Sequence, residues 1–162
     1  MVVKTGLGQD SHRFEAEGSS KSLILGGMTI GGSPGLAGNS DADVVLHAVT
    51  NAVSGVTGVN VLGSTSDDMC KKGVVDSAEY LRVALQSLDA LCITHVSVSI
   101  EAKRPHLSTH IPAMKQSLAR LLSLTERDVG ITATSGEGLT AFGRGEGIQA
   151  FVVVTAMGES RV

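Results

Sequence analysis

A chain of 162 residues, 42% of them hydrophobic and only 18% charged, can bury a core as one domain spanning 1–162 without disulfides or a structural metal. Its charge content lies below the roughly 25% of an average soluble chain, which points to surface hidden in an oligomer. A formal net charge of −3, a single Tyr, three Phe and no Trp exclude a basic, base-stacking nucleic-acid binder. No apolar run approaches the roughly 18 residues that span a bilayer. Cys70 and Cys92 lack CxxC spacing and no signal peptide opens the chain, so a cytoplasmic setting without membrane contact is expected.

Val2 to Phe14 alternates loosely and ends in Gln9-Asp10-Ser11-His12-Arg13, a predicted first strand with unusual side chains. Ser22 to Ile30, interrupted by Gly26-Gly27, reads as a second strand or a hairpin, and Gly31 to Asn39 as a loop rich in Gly, Pro and Ser. Ser40 is the expected cap of a helix with Asp41 and Asp43 in its first turn, Val45, Val49, Ala52 and Val53 at helical spacing, and Gly55 and Gly58 at its end. Asn60 to Val75 reads as an irregular, mobile loop.

Asp76 and Glu79 form a capping-box pattern ahead of a second helix with a stripe of Leu81, Leu85, Leu88 and Leu91. Thr94 to Ala102 is a strand with Val96, Val98 and Ile100 on one face and Ser97, Ser99 and Glu101 on the other. A third helix runs over Thr109 to Leu122 with Pro112 in its first turn, and Met114, Leu118, Leu121 and Leu122 face inward. Val129 to Thr134 is a strand, Ser135 to Gly147 is glycine-rich, and Ile148 to Ala156 is apolar on both faces, as suits the middle of a sheet. This order predicts an α+β sandwich with helices on one face of a mixed sheet.

Asp10 and His12, two apart on a strand, point to one face and can converge on a cation, although the same pair can simply end a strand. His47 lies on an otherwise apolar helix, and Asp43 one turn earlier is placed to bond its second ring nitrogen, as partners of metal-bound His do. The alternative is a capping Asp43 and a buried, satisfied His47. In Ala133-Thr-Ser-Gly-Glu-Gly-Leu139 and Gly143-Arg-Gly-Glu-Gly147, backbone N–H groups and hydroxyls can meet phosphate oxygens and Glu137 can hold a divalent cation; GxxxxGK[ST] is absent.

Taken together, Gly6-Leu-Gly-Gln-Asp-Ser-His-Arg-Phe14, Ser22-Leu-Ile-Leu-Gly-Gly27, Ser40-Asp-Ala-Asp-Val-Val-Leu-His47, His110-Ile-Pro-Ala-Met114 and Ala133 to Gly147 resemble the 2-C-methyl-D-erythritol 2,4-cyclodiphosphate synthase family, in order and over nearly the whole chain. The resemblance implies a homotrimer of ferredoxin-like α+β subunits with active sites between neighbours. It implies a lyase of the non-mevalonate route to isoprenoids that turns 4-diphosphocytidyl-2-C-methyl-D-erythritol 2-phosphate into the cyclic diphosphate and CMP, in the cytoplasm or, after loss of a transit peptide, a plastid stroma.

By the same resemblance, Asp10, His12 and His47 bind zinc, and Glu137 binds a second cation, magnesium or manganese, with the substrate diphosphate. Thr134 and Ser135 meet phosphate oxygens, with Ser135 and Asn39 acting on the transition state. Asp10, His12, Asn39, Ser40, Gly63, Asp67, Phe142 and Arg144 join the substrate site, while Pro105, His106, Leu107 and Ser108 line a cytidine pocket. Arg144 and Glu146 match residues near the trimer axis, where an isoprenoid or phosphate ligand can sit. Asn39 stands where the family usually has His, and Asn60-Val61-Leu62-Gly63 stands for a Gly-Asp-Ile-Gly run whose Asp holds ribose. His106 replaces the usual Lys, Phe142 is displaced by one, and the choice between Asp67 and Asp68 for the methylerythritol hydroxyls stays open. A nucleotide-holding sensor and an enzyme acting on another phosphate ester remain alternatives.

Overall fold

The computed structural model describes residues 1–159; residues 160–162, the end of the expected 1–162 domain, lie outside the described residues. The elements are β1 (Val2–Arg13), β2 (Ser22–Leu25), β3 (Met28–Pro34), α1 (Val44–Thr57), α2 (Ser64–Lys71), α3 (Ser77–Leu85), β4 (Leu91–Glu101), α4 (Ile111–Leu122), β5 (Val129–Thr134) and β6 (Gly147–Gly158), with short 3₁₀ turns at 86–88, 126–128 and 136–138. One four-stranded sheet runs in the order β1-β6-β4-β5, and β2 and β3 form a separate hairpin.

Strand β6 occupies the interior of the sheet, antiparallel to β1 on one side and to β4 on the other. Its Ile148, Ala150, Val152, Val154 and Ala156 are buried beneath the helices, while Phe151 and Val153 on the opposite face are exposed. On β4, Val96, Val98 and Ile100 are buried and Ser97 and Ser99 are exposed, as the alternation requires. Strands β4 and β5 run parallel, and α4 supplies the crossover that a parallel pair needs. Met114, Leu118 and Leu122 of α4 are buried; Leu121 is half-buried.

The mixed α+β sheet agrees with expectation, but the connectivity corrects the ferredoxin-like assignment. That arrangement reads β-α-β-β-α-β, whereas the sheet here is threaded strand, helices, strand, helix, strand, strand. With α4 placed between β4 and β5, those two strands are committed to a parallel pair. The glycine-rich segment then returns the chain to β6, on the far side of β4.

Four local expectations are also corrected. Strand β3 continues through Pro34 into the expected loop, and α2 occupies the middle of the expected irregular stretch 60–75. Helix α1 starts at Val44 instead of Ser40, because Ala42 adopts a left-handed φ of 56° that no helix can pass through. Asp43 is the N-cap, and Gly58, not Gly55, ends the helix in a left-handed conformation. Helix α3 stops at Leu85, so Leu88 sits on a 3₁₀ turn and Leu91 begins β4.

Two features position α1. Gly6 and Gly8 face the helix where any Cβ would run into the carbonyl oxygens of Ala52 and Ala48, so the absent side chains let the helix backbone approach the strand. Asp43, fully buried, accepts from the N–H groups of Val45 and Leu46 (both 3.0 Å) and from Gly26 (2.9 Å) and Gly27 (2.6 Å) at the tip of the β2–β3 hairpin. One carboxylate thus ties the helix start to the hairpin, and burial pushes its pKa up to about 6 against those four donors.

Candidate active site

Close packing of α1 on β1 places His47, one turn into the helix, over Asp10 and His12, which share the inner face of the strand. His47 Nδ1 and His12 Nε2 each lie 2.9 Å from the same Asp10 oxygen and 3.2 Å from one another. All three side chains offer one ligand atom within 4.8 Å of the others, the one such group among the described residues. They are largely but not wholly covered, with side-chain exposures of 25%, 22% and 10% for Asp10, His12 and His47. An ion here would be shielded yet reachable.

Burial alone would raise the Asp10 carboxyl, but hydrogen bonds and charge from His12 and His47 outweigh it and hold the pKa at about 2. The hydrogen bond to Asp10 raises His12 above the usual imidazole range, against the opposing effect of burial. His12 Nδ1 sits 2.7 Å from the Ala37 carbonyl, which can only accept, so Nδ1 carries hydrogen; Nε2 donates to Asp10 in the protonated ring and turns its lone pair to the cluster once the ring is neutral. Two imidazoles and one carboxylate with a solvent-facing side form a donor set suited to catalytic zinc, and iron or manganese can use the same set. The residues fit a divalent cation.

The expected role of Asp43 beside His47 is corrected. Both Asp43 oxygens are engaged with backbone N–H groups. His47 Nε2 instead meets Ser77 Oγ at 2.9 Å, with Ser40 Oγ farther away at 3.5 Å.

The cluster opens into a cavity of about 240 Å³ lined also by Asn39, Ser40, Asn51, Ser66, Asp67 and Tyr80. Asn39 and Asp67 are exposed at its rim. Asp68 is turned away and pairs with Lys71 at 3.2 Å, which distinguishes the two neighbouring acids. Gly63 forms the N-cap position of α2, and Val61, where an acid was expected, is buried in the core. Sequence reasoning missed Asn51 and Ser77. Asn51 stands four residues after His47 on one helical face, the spacing that would have revealed it.

The remaining predicted site residues gather elsewhere. Pro105, His106, Leu107, Ser108, Thr134 and Ser135 line a second cavity of about 280 Å³, at the ends of the parallel strands β4 and β5. The Arg104–Pro105 peptide bond within it is cis. Glu137 is exposed in a left-handed conformation with φ 52° on the turn between Gly136 and Gly138. Gly136 has a left-handed φ of 68°, which favours glycine, and lies beside the Glu101 carboxylate, which accepts from the Thr140 hydroxyl. Phe142 is half-buried, its carbonyl accepting from Lys103 and Gly145, and Arg144 is exposed with Nε 3.0 Å from Glu146. No residue is shared between the two cavities.

Comparison with known proteins gives this geometry a family. Residues 3–157 match the YgbB family. The 2-C-methyl-D-erythritol 2,4-cyclodiphosphate synthase of Chlamydia felis is 47% identical over 158 residues, covering 96% of this chain and 90% of that protein. Among solved structures, the bifunctional IspDF of Campylobacter jejuni superposes with a TM-score of 0.87 at 29% identity over 98% of this chain and 43% of that one. A 2C-methyl-D-erythritol-2,4-cyclodiphosphate synthase solved in a CDP-bound form superposes at 0.82 with 30% identity, over 95% of this chain and all of that one. The chain therefore belongs to the YgbB family, the family of the 2-C-methyl-D-erythritol 2,4-cyclodiphosphate synthases.

Proposed function

We propose that this chain converts 4-diphosphocytidyl-2-C-methyl-D-erythritol 2-phosphate into 2-C-methyl-D-erythritol 2,4-cyclodiphosphate and CMP, a phosphorus–oxygen lyase step of isoprenoid synthesis. The observation that carries this reading is the convergence of Asp10, His12 and His47 within a family of such synthases. In this reaction the terminal phosphate of the substrate attacks the β-phosphorus of its own diphosphate, forming one P–O bond as the bond to CMP breaks. The attacking group is already mostly ionised near neutrality, because the second pKa of a phosphate monoester is about 6. No side-chain base is required.

Bringing two anions together is the obstacle: at about 4 Å and an effective dielectric near 20, each pair of unit charges repels by roughly 4 kcal/mol. A divalent cation on Asp10, His12 and His47, most simply zinc, with a second such as magnesium or manganese on Glu137, supplies Lewis-acid neutralisation of that charge. Thr134 and Ser135 offer hydroxyls to the phosphate oxygens, with Ser135 acting on the transition state. Asn39 donates as a neutral amide where the family usually has His. Ser40, Gly63 and Asp67 hold the sugar side of the substrate, and Pro105 to Ser108 receive cytidine, consistent with the CDP bound by a relative. Phe142 and Arg144 join the substrate site.

We further propose that the working unit is a homotrimer in which the cation cavity of one subunit faces the cytidine cavity of the next. Two observations support it. The two sets of site residues line separate cavities within one chain, and the open face of the sheet exposes Leu7 (66%), Phe151 (45%) and Val153 (36%) as a contiguous apolar patch. Arg144 and Glu146 would then lie near the axis, where a phosphate or isoprenoid can bind. The single domain accounts for the whole activity, and no helix among the described residues is long and apolar enough to cross a membrane. Incubating the zinc- and magnesium-supplied protein with the substrate and following CMP and the cyclic product tests the assignment. Stoichiometric release of both is expected; substrate bound but unchanged would favour a nucleotide-holding sensor.

A further inference from the structure

His47 is held on its far side by a buried serine and a half-buried aspartate that line neither cavity. Ser77, the first residue of α3, is wholly buried, and its Oγ lies 2.9 Å from His47 Nε2. Behind it stands Asp41, on the segment ahead of α1. The Asp41 Oδ2 accepts from the Ser77 backbone N–H at 3.0 Å, and its Oδ1 accepts from the Asp43 N–H at 3.1 Å and from the Ser77 hydroxyl in a short hydrogen bond. The Asp41 N–H donates to the Val75 carbonyl at 2.8 Å, closing the same link through the backbone.

The direction of these bonds can be read from the donor count. A serine hydroxyl owns one hydrogen, and a carboxylate whose two oxygens already receive backbone N–H groups acts as an acceptor. The Ser77 hydrogen therefore goes to Asp41, leaving only lone pairs for His47. Nε2 must then be the N–H, and Nδ1 is left bare, aimed at the Asp10 oxygen 2.9 Å away. Ser40 cannot substitute for Ser77, since its Oγ is 3.5 Å from Nε2, beyond a good hydrogen bond, and already accepts from the Ala42 N–H at 3.0 Å.

We propose that Asp41 and Ser77 form a positioning pair that fixes His47 in its Nε2–H tautomer and ring orientation, so that its Nδ1 is committed to a divalent cation. The proposal rests on the reading of Asp10, His12 and His47 as a cation site. With His12 Nδ1 bonded to the Ala37 carbonyl, both imidazoles present lone pairs to the Asp10 carboxylate. Three acceptors converge with no hydrogen among them, an arrangement that only a cation or an added proton resolves. The pair also couples the site to packing: Asp41 binds the start of α3 to the start of α1, so the ring is oriented by two helices.

The test measures zinc affinity by competition with a chromophoric chelator and the His47 tautomer by long-range ¹⁵N–¹H NMR of the metal-free chain, at a pH above the imidazole range. In the unmodified chain the Nε2–H form is expected, and zinc binds. Ser77→Ala should weaken zinc by about 10- to 100-fold, the usual effect of losing a bond behind a metal-bound His, and should mix the two tautomers. Asp41→Asn should weaken it too, since one of the two backbone N–H donors then faces an amide NH₂. Thermal unfolding in excess chelator shows whether the variants fold. An Nδ1–H ring in the unmodified chain overturns the proposal even if both variants are unstable, as does unaltered zinc affinity in a folded Ser77→Ala. Absence of zinc binding by the unmodified chain overturns the cation site itself, and this inference with it.

Discussion

The proposed cation cavity and the proposed cytidine cavity are built by different means. In the first, long-range packing fixes side chains: Gly6 and Gly8 admit α1, Asp43 ties the helix to the β2–β3 hairpin, and each imidazole is bonded on its far side. In the second, backbone at the ends of β4 and β5 shapes an open hollow whose polar residues, His106, Ser108, Thr134 and Ser135, are exposed. Rigid ligands suit an ion, which tolerates little misplacement. An exposed rim suits a substrate gripped between two subunits, so the first cavity should stand without a neighbour and the second should not.

The largest expected effect strikes the first cavity directly. His47→Ala should abolish cyclisation and zinc binding while the fold persists, because His47 is one of the three proposed ligands and the surrounding core of Val44, Val45 and Ala48 is untouched. Circular dichroism, zinc content and CMP release measure the three properties. A variant that has lost its metal yet releases CMP at the unaltered rate would remove the cation from the mechanism.

Almost as large an effect should come from a residue that lines neither cavity. Leu7 is exposed on the open sheet face, opposite Val153 in the β1–β6 register. Leu7→Glu places a charge in the proposed subunit interface without disturbing the core. Light scattering should show monomers, and CMP release should fall by about a hundredfold or more, since misplacement of reacting groups by 1 Å can cost that much. Zinc affinity should hold. A monomer with full activity would mean that the two cavities serve one chain and that their separation has no functional meaning.

A smaller change is expected two residues beyond Ser135, the last residue to line the second cavity. Glu137 is exposed and lies outside the Asp10, His12 and His47 group. Glu137→Gln should raise the magnesium needed for half-maximal rate by about tenfold, the scale of one charge-assisted contact, with zinc content unchanged. Equal magnesium dependence in the two proteins would remove Glu137 from the second-cation role.

The same contrast explains what the sequence discloses. Strand period alone places Asp10 and His12 on one face, and the two-sided apolar pattern of 148–156 identifies the central strand; both are local properties that the structure reproduces. The start of α1 is not legible in the sequence because the left-handed Ala42 lies between Asp41, bonded to Ser77, and Asp43, bonded to the hairpin tip, both distant in the chain. Ser77 was invisible because its partner is 30 residues away. Helix α2 was hidden by polarity, since none of its residues is buried. The glycine-rich 135–147 stretch was legible only through family resemblance, for glycines signal a turn without saying what the turn holds.

The smallest expected effect concerns protons in place of the metal. In the metal-free chain Asp10 has a pKa of about 2, below its unfolded value of 3.8, so its stabilisation is present above 3.8 and lost as pH falls through 2. His12 is shifted the other way: its contribution is complete below the unfolded value of 6.5 and disappears as pH rises through its raised folded value. The pair therefore stabilises the metal-free fold most between about pH 4 and 6.5. Chemical denaturation of the unmodified chain and of Asp10→Asn, both in excess chelator, should differ most in that window and converge on either side. Zinc reverses the upper limb, because it must displace the His12 proton and so binds more tightly as pH rises. A difference between the two proteins that is flat from pH 4 to 9 would show that the Asp10–His12 contact contributes packing and not charge.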